Sequence, residues 1–156
     1  MAVDGANGSR DHRPAGSAPA GAPAAASHAD ATLETVGFRE FLPTATGIRS
    51  ARLFVEQTLR KARTPDEVVA AAVLVADEFS LNAVEHAGTS FSVALELGPG
   101  TLRVAVRDDA RAFPGPSPHS LGSAGGRGLT IVATTAEEWG AESLGRGKEV
   151  WADLHW

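Results

Sequence analysis

Hydrophobic positions change their spacing several times along the chain, and each change marks an element. Between Thr32 and Leu42, the residues Leu33, Val36, Phe38 and Phe41 stand in an imperfect alternation that predicts an edge strand. From Ile48 to Ala62 the period lengthens, and Ile48, Leu53, Phe54 and Leu59 form the apolar stripe of a first helix. Thr64-Pro65-Asp66-Glu67 opens a second helix, because threonine can cap, proline suits the first helical position and two acids complement the positive end of the dipole. That helix runs to about His86, and Gly88 stops it. Phe91 to Leu97 and Thr101 to Arg107 then read as two strands of a hairpin turning through Gly98-Pro99-Gly100.

The segment from Asp109 to Gly125 contains Pro114, Gly115, Pro116, Pro118 and Gly122 and is longer than an ordinary connection, which predicts a lid. A third helix follows over Arg127 to Ala136. The runs around Trp139 and over Glu149 to His155 flank Leu144-Gly145-Arg146-Gly147, which predicts a closing hairpin. The order strand, helix, helix, strand, strand, lid, helix, strand, strand is that of an α+β sandwich with helices on one sheet face.

Composition narrows the function. A chain of 156 residues with 43% hydrophobic content suits one domain with a substantial core. Its net charge of −5 and lack of any basic run give no electrostatic footprint for direct nucleic-acid or membrane-surface binding. With no cysteine, disulfides and thiolate metal sites are excluded, and the five histidines show no paired metal-ligand spacing, in keeping with a reducing cytoplasm. Residues 1–31 are rich in Ala, Gly, Pro and Ser and predict a disordered tail ahead of a domain over 32–156. Prolines at 14, 19 and 23 break any secretory h-region, and no stretch approaches the ~20 apolar residues of a membrane span.

The chemistry concentrates in Leu74 to Ala87, LVADEFSLNAVEHA, where Glu78, Asn82 and His86 recur at i, i+4, i+8 along one helix face. Leu74, Val75, Phe79, Leu81 and Ala83 are the apolar residues expected to bury the surrounding surface. Polar side chains there either form a solvated stripe or need partners, since an unpaired buried polar group costs about 1–3 kcal/mol. Downstream, Asp108 ends the alternating run Leu102, Val104, Val106, and Gly125-Gly126-Arg127-Gly128 directly precedes the helical Leu129-Thr130-Ile131-Val132-Ala133.

The succession EFSLNAVEHA, VAVRDDARAFP, GGRGLTIV and GKEVWADL resembles the GHKL-type ATPase domain of the anti-sigma factor serine/threonine kinases, over roughly Thr32 to Trp156. The resemblance implies the Bergerat ATP-binding fold, a two-layer α/β sandwich with a mixed sheet, helices on one face and ATP held between the layers under the lid. It implies Glu78 as catalytic base, Asn82 as a ligand of Mg²⁺ and Asp108 as the reader of the adenine amine. A carboxamide oxygen suits one position of octahedral Mg²⁺, and a carboxylate near the γ-phosphate can take the proton of an attacking hydroxyl. The competing bland readings are an Asn82 bonded back to its own helix and a Glu78 in a surface ion pair.

Gly126 and Gly128 permit close approach of phosphates to a helix N-terminus, and Arg127 either adds a charge-assisted bond or faces solvent. Asp77 points about 100° round the helix from Glu78 and reads as solvated or structural, His86 as a helix-end residue, and Asp109 as a competitor of Asp108 in less suitable register. Lys148 is ambiguous, since it also sits at an ordinary hairpin exit. Relatives often have an x-Gly step after the aspartate; here Asp109 and Ala110 stand there, which bears on base contact and lid hinging.

The function implied is an ATP-dependent protein serine kinase that binds a sigma factor and phosphorylates a serine of an anti-anti-sigma partner of STAS type, with homodimerisation as seen among relatives. The alternative is a nucleotide-binding interaction module that transfers no phosphate, and a stand-alone ATP hydrolase is a further reading. A histidine-kinase core is disfavoured because residues 1 to 30 are too rich in Pro and Gly to form a dimerisation helix pair.

Overall fold

The computed structural model describes residues 32–109 and 124–156, with the backbone alone over 124–129. The expected tail over 1–31, the body of the expected lid and Ala110 lie outside the described residues. The elements follow the expected order: β1 (Glu34–Phe41), α1 (Ala45–Lys61), α2 (Asp66–His86), β2 (Phe91–Gly98), β3 (Thr101–Asp108), α3 (Ala124–Thr135), β4 (Glu138–Ser143) and β5 (Lys148–His155).

The five strands form one sheet in the order β1-β2-β3-β5-β4, and every neighbouring pair is antiparallel. The sheet expected to be mixed is therefore antiparallel at each described ladder. The reason is topological. β3 and β4 run in the same direction across α3, but β5 inserts between them, so the two parallel strands never meet. At the β1 edge, the imperfect alternation comes from a register shift between Thr35 and Gly37. It leaves Val36 and Phe38 exposed while Phe41 enters the core and stacks on Phe91.

One face of the sheet carries the helices. Phe91, Val93 and Leu95 of β2, Leu102, Val104 and Val106 of β3, and Val150, Ala152 and Leu154 of β5 alternate inward to meet Val68, Ala72, Val75, Phe79 and Ala83 of α2. Fully burying each large side chain contributes about 1.5–3 kcal/mol, which makes α2 the central beam of the helical layer. It lies over β3 and β5, with α1 packed on one flank and α3 on the other. On the opposite face, Arg103 bonds Asp153 through two nitrogens and lies over the Trp151 ring, and Arg107 pairs with Glu149. These cross-strand pairs cover that face with charge and leave a small apolar patch of Ala94, Ala105 and Trp151 beneath.

Some local expectations change. α1 starts earlier than Ile48 because Thr44 caps it, its hydroxyl accepting from Gly47 N at 3.0 Å. Its buried stripe is Gly47, Ala51, Phe54, Val55 and Leu59, and Leu53 is exposed. Thr64 does not cap α2: Pro65 is the N-cap residue, and the buried Thr64 hydroxyl has no hydrogen-bond partner among the described residues. Leu74 is exposed and Leu81 only half-buried, because positions seven apart share a helix stripe that here faces away from the sheet. No described helix is long and apolar enough to cross a membrane.

Candidate functional site

The strand register sets the site at one end of the sheet. Phe91 pairs with Asp108, Asp108 with Lys148 and Lys148 with Ser143, so these residues form one row across four strands. α2 feeds β2 through the short link after His86, which brings the C-terminal end of the helix over that row. Asp109 N donates to Thr89 Oγ1 at 3.4 Å, tying this link to the end of β3. α3 leads into β4, whose first residue pairs with Asp153 at the other end of the sheet. Its N-terminus therefore opens toward the Asp108 row.

On α2, Asp77 forms a 3.6 Å ion pair with Arg52 of α1, a structural contact on a partly exposed surface. Glu78 lies about 100° further round, on the flank turned from α1 toward α3, and Asn82 is another 40° toward the core. Glu78 is half-buried and makes no hydrogen bond or ion pair among the described residues. Burial holds its carboxyl above the usual glutamate range, with the charges of Asp77 and Glu85 adding to the effect.

Asn82 is buried, and its Nδ2 meets no hydrogen-bond partner among the described residues. An orphaned amide in a helix interior is costly and does not return to its own helix, so this position is suited to a ligand. The donor set fits a magnesium nucleotide: Nδ2 can give a hydrogen bond to a phosphate oxygen, and Oδ1 is the hard oxygen ligand that Mg²⁺ prefers. His86, one turn further, is exposed at the end of the helix.

Asp108 faces the helical layer and is buried, whereas Asp109 is exposed. The neighbour of Asp108 is a residue the sequence left ambiguous. Lys148 is buried opposite it, with Nζ 3.3 Å from Asp108 Oδ2 and both side chains at most 3% exposed. The signal was present as a lysine directly after the closing turn, but the pattern alone could not separate it from an ordinary hairpin exit. An open cavity of about 260 Å³ that reaches Asp108 is lined by Phe38, Glu40, Ser92 and Arg107 and so opens on the sheet face away from the helices.

The glycine-rich step is placed differently from expectation. α3 begins at Ala124, three residues before the expected Arg127, so Gly125 and Gly126 as well as Arg127 and Gly128 lie in its opening turns. The N–H groups up to Gly126 lack an acceptor within the helix and remain available to an anion, while those of Arg127 and Gly128 begin the helical ladder. The side chain of Arg127 lies outside the described residues.

The model of the histidine kinase-like ATPase domain matches residues 41–154, spanning α1 to β5 and every one of these pieces. The chain belongs to this family. Among curated proteins none matches it. As a histidine kinase-like ATPase domain, the chain has the GHKL-type α+β architecture, with α2 and the start of α3 facing the Asp108 end of the sheet.

Proposed function

We propose that this domain is an ATP-dependent protein serine kinase of the anti-sigma-factor type, which holds a sigma factor and phosphorylates a serine of an anti-anti-sigma partner of STAS type. The observation that carries the reading is Glu78: a half-buried carboxylate with no partner among the described residues, raised toward basicity and set one turn before the orphaned Asn82 amide. A half-buried carboxylate of raised basicity is suited to taking a proton from an attacking hydroxyl, a task that nucleotide holding alone does not require.

When bound, ATP with Mg²⁺ supplies the phosphoryl group and neutralises its charge. Asn82 would hold the metal through Oδ1, and the free N–H groups at the start of α3 would hold phosphate oxygens. Asp108 would accept a hydrogen bond from the adenine amine. Glu78 would accept the proton of the serine hydroxyl as that oxygen bonds to the γ-phosphorus and the bond from phosphorus to the β,γ-bridging oxygen breaks, releasing ADP, a contribution of about 10²–10⁴-fold in rate.

The test is capture of partners in the presence of ATP and of ADP, followed by phosphosite mapping on the proteins recovered. The kinase reading expects a STAS-type protein phosphorylated on serine by the wild type and, at equal nucleotide affinity, slowly by Glu78→Gln. Partners that are bound but never phosphorylated would instead make this a nucleotide-binding interaction module.

A further inference from the structure

We infer that Phe38 and Glu40, on the open face of the sheet, form a recognition site for a guanidinium group presented as an arginine side chain by a partner protein. The site lies on the far side of the sheet from Glu78 and Asn82 and does not depend on the function proposed above.

An equivalent arrangement in the same sheet already holds an arginine of this chain. Trp151 and Asp153 stand two positions apart on β5, with Ala105 opposite the ring and Arg103 opposite the acid. Arg103 bonds Asp153 through two nitrogens at 2.7 and 2.6 Å and lays its guanidinium 4.3 Å from the centre of the Trp151 ring. On β1, Phe38 and Glu40 repeat the aromatic and the acid at the same spacing and in the same order, and Ala94 again lies opposite the ring. Opposite Glu40 stands Ser92. β1 runs antiparallel to β5, and each pairs with a strand on the side toward the other, so a half-turn about the sheet normal superposes the two arrangements with Ser92 in the place of Arg103.

The short serine leaves space where the arginine would be. Phe38, Glu40 and Ser92 line the open cavity of about 260 Å³ on this face. The ring of Phe38 is 60% exposed, and Glu40 is exposed with no hydrogen bond or ion pair among the described residues. A planar guanidinium suits both groups at once, stacking on the ring while its fork bonds the carboxylate. The nearby arginines of the chain are otherwise engaged or on the far wall. Arg107 lines the cavity but pairs with Glu149, and Arg39 lies over Phe54 on the helical face. Arg146 shares the far wall with Asp109, whose charge is opposite.

The test is an NMR titration of the full chain with N-acetyl-arginine amide, which carries the side chain as a protein would, with N-acetyl-lysine amide as the control. One stacked, carboxylate-bonded guanidinium corresponds to a Kd of about 1–30 mM, with shifts centred on Phe38 and Glu40. The lysine probe should bind at least about 3-fold more weakly, since an ammonium neither stacks nor forks. Affinity for the arginine probe should fall about 10-fold in Glu40→Gln and about 3-fold in Phe38→Ala. Ser92→Arg supplies the guanidinium from within the chain and should abolish binding of the probe.

Equal binding of the arginine and lysine probes, shifts centred elsewhere, or no shift at about 30 mM probe overturns the inference. So does unchanged affinity in a folded Glu40→Gln or Ser92→Arg; both changes are on the open face, and either one decides if the other does not fold. Free L-arginine should bind within about 3-fold of the blocked probe, because the side chain alone is read. A preference for the free amino acid above about 10-fold would overturn the partner-protein source and assign the site to a small molecule.

Discussion

The backbone of Gly147 passes so close to Asp108 that a Cβ at position 147 would stand 1.9 Å from the Asp108 carbonyl oxygen. Gly147 also has φ +82, a conformation that side chains resist. This contact lets β5 close on the end of β3 and delivers Lys148, the next residue, to the Asp108 carboxylate.

Gly147→Ala and Gly145→Ala should therefore differ. Gly145 has a similar φ of +75 but open space where its Cβ would be, so only the left-handed penalty of about 1–2 kcal/mol applies. Gly147→Ala meets the same penalty and a backbone clash, and should cost at least about 2 kcal/mol more in urea titrations. Equal costs would mean that β5 can shift without loss.

Asn82→Leu should raise stability while removing Mg²⁺-dependent nucleotide binding. It replaces a buried amide whose Nδ2 has no partner among the described residues with an apolar side chain of similar size, a change worth up to about 1–2 kcal/mol. Thermal melts and calorimetry with and without Mg²⁺ check the two halves. A folded variant with unchanged magnesium dependence would remove Asn82 from the metal site.

Glu78→Gln should change stability in a pH-dependent way. The folded-state pKa of Glu78 is raised above its ordinary 4.5. Below that value the side chain is protonated in both folded and unfolded states, and Gln and Glu are equivalent. As pH rises through the interval between 4.5 and the raised value, the unfolded chain releases the proton first and the wild type loses stability. Glu78→Gln should match the wild type near about pH 4 and exceed it near about pH 7.5 in paired melts. A variant less stable at neutral pH would show that a favourable contact holds the carboxylate.

Asp108→Asn and Lys148→Met should each cost up to about 3–5 kcal/mol, since either breaks a buried ion pair. The double variant should cost less than the sum of the two, because both charges leave together. Additive costs from denaturant titration would mean that the pair is not coupled.

Much of the fold was legible in the chain. Alternation over 101–108 and the polar break at Asp108 located β3 and its terminal acid, and the Thr64-Pro65-Asp66-Glu67 opening with the stop at Gly88 located α2 to within a residue or two of its ends. Local signals misled at Thr64, which by residue type suits a cap, yet its hydroxyl has no hydrogen-bond partner among the described residues. Leu53 and Leu74 read as core residues, but which flank of each helix meets the sheet depends on the packing of α1, α2 and α3 together.

By itself, the sequence determined what is local in physical origin: element type and order, the face shared by Glu78 and Asn82, and the strand end at Asp108. Periodicity and turn chemistry act over a few residues, so they can be read in one dimension. The partner of Asp108 was decided only by tertiary structure. Lys148 lies 40 positions further along the chain and becomes its counter-charge because β5 inserts between β3 and β4 and Gly147 lets the strands close. The burial of Asn82 and the raised basicity of Glu78 have the same origin, since both follow from which surfaces the helices and sheet remove from water.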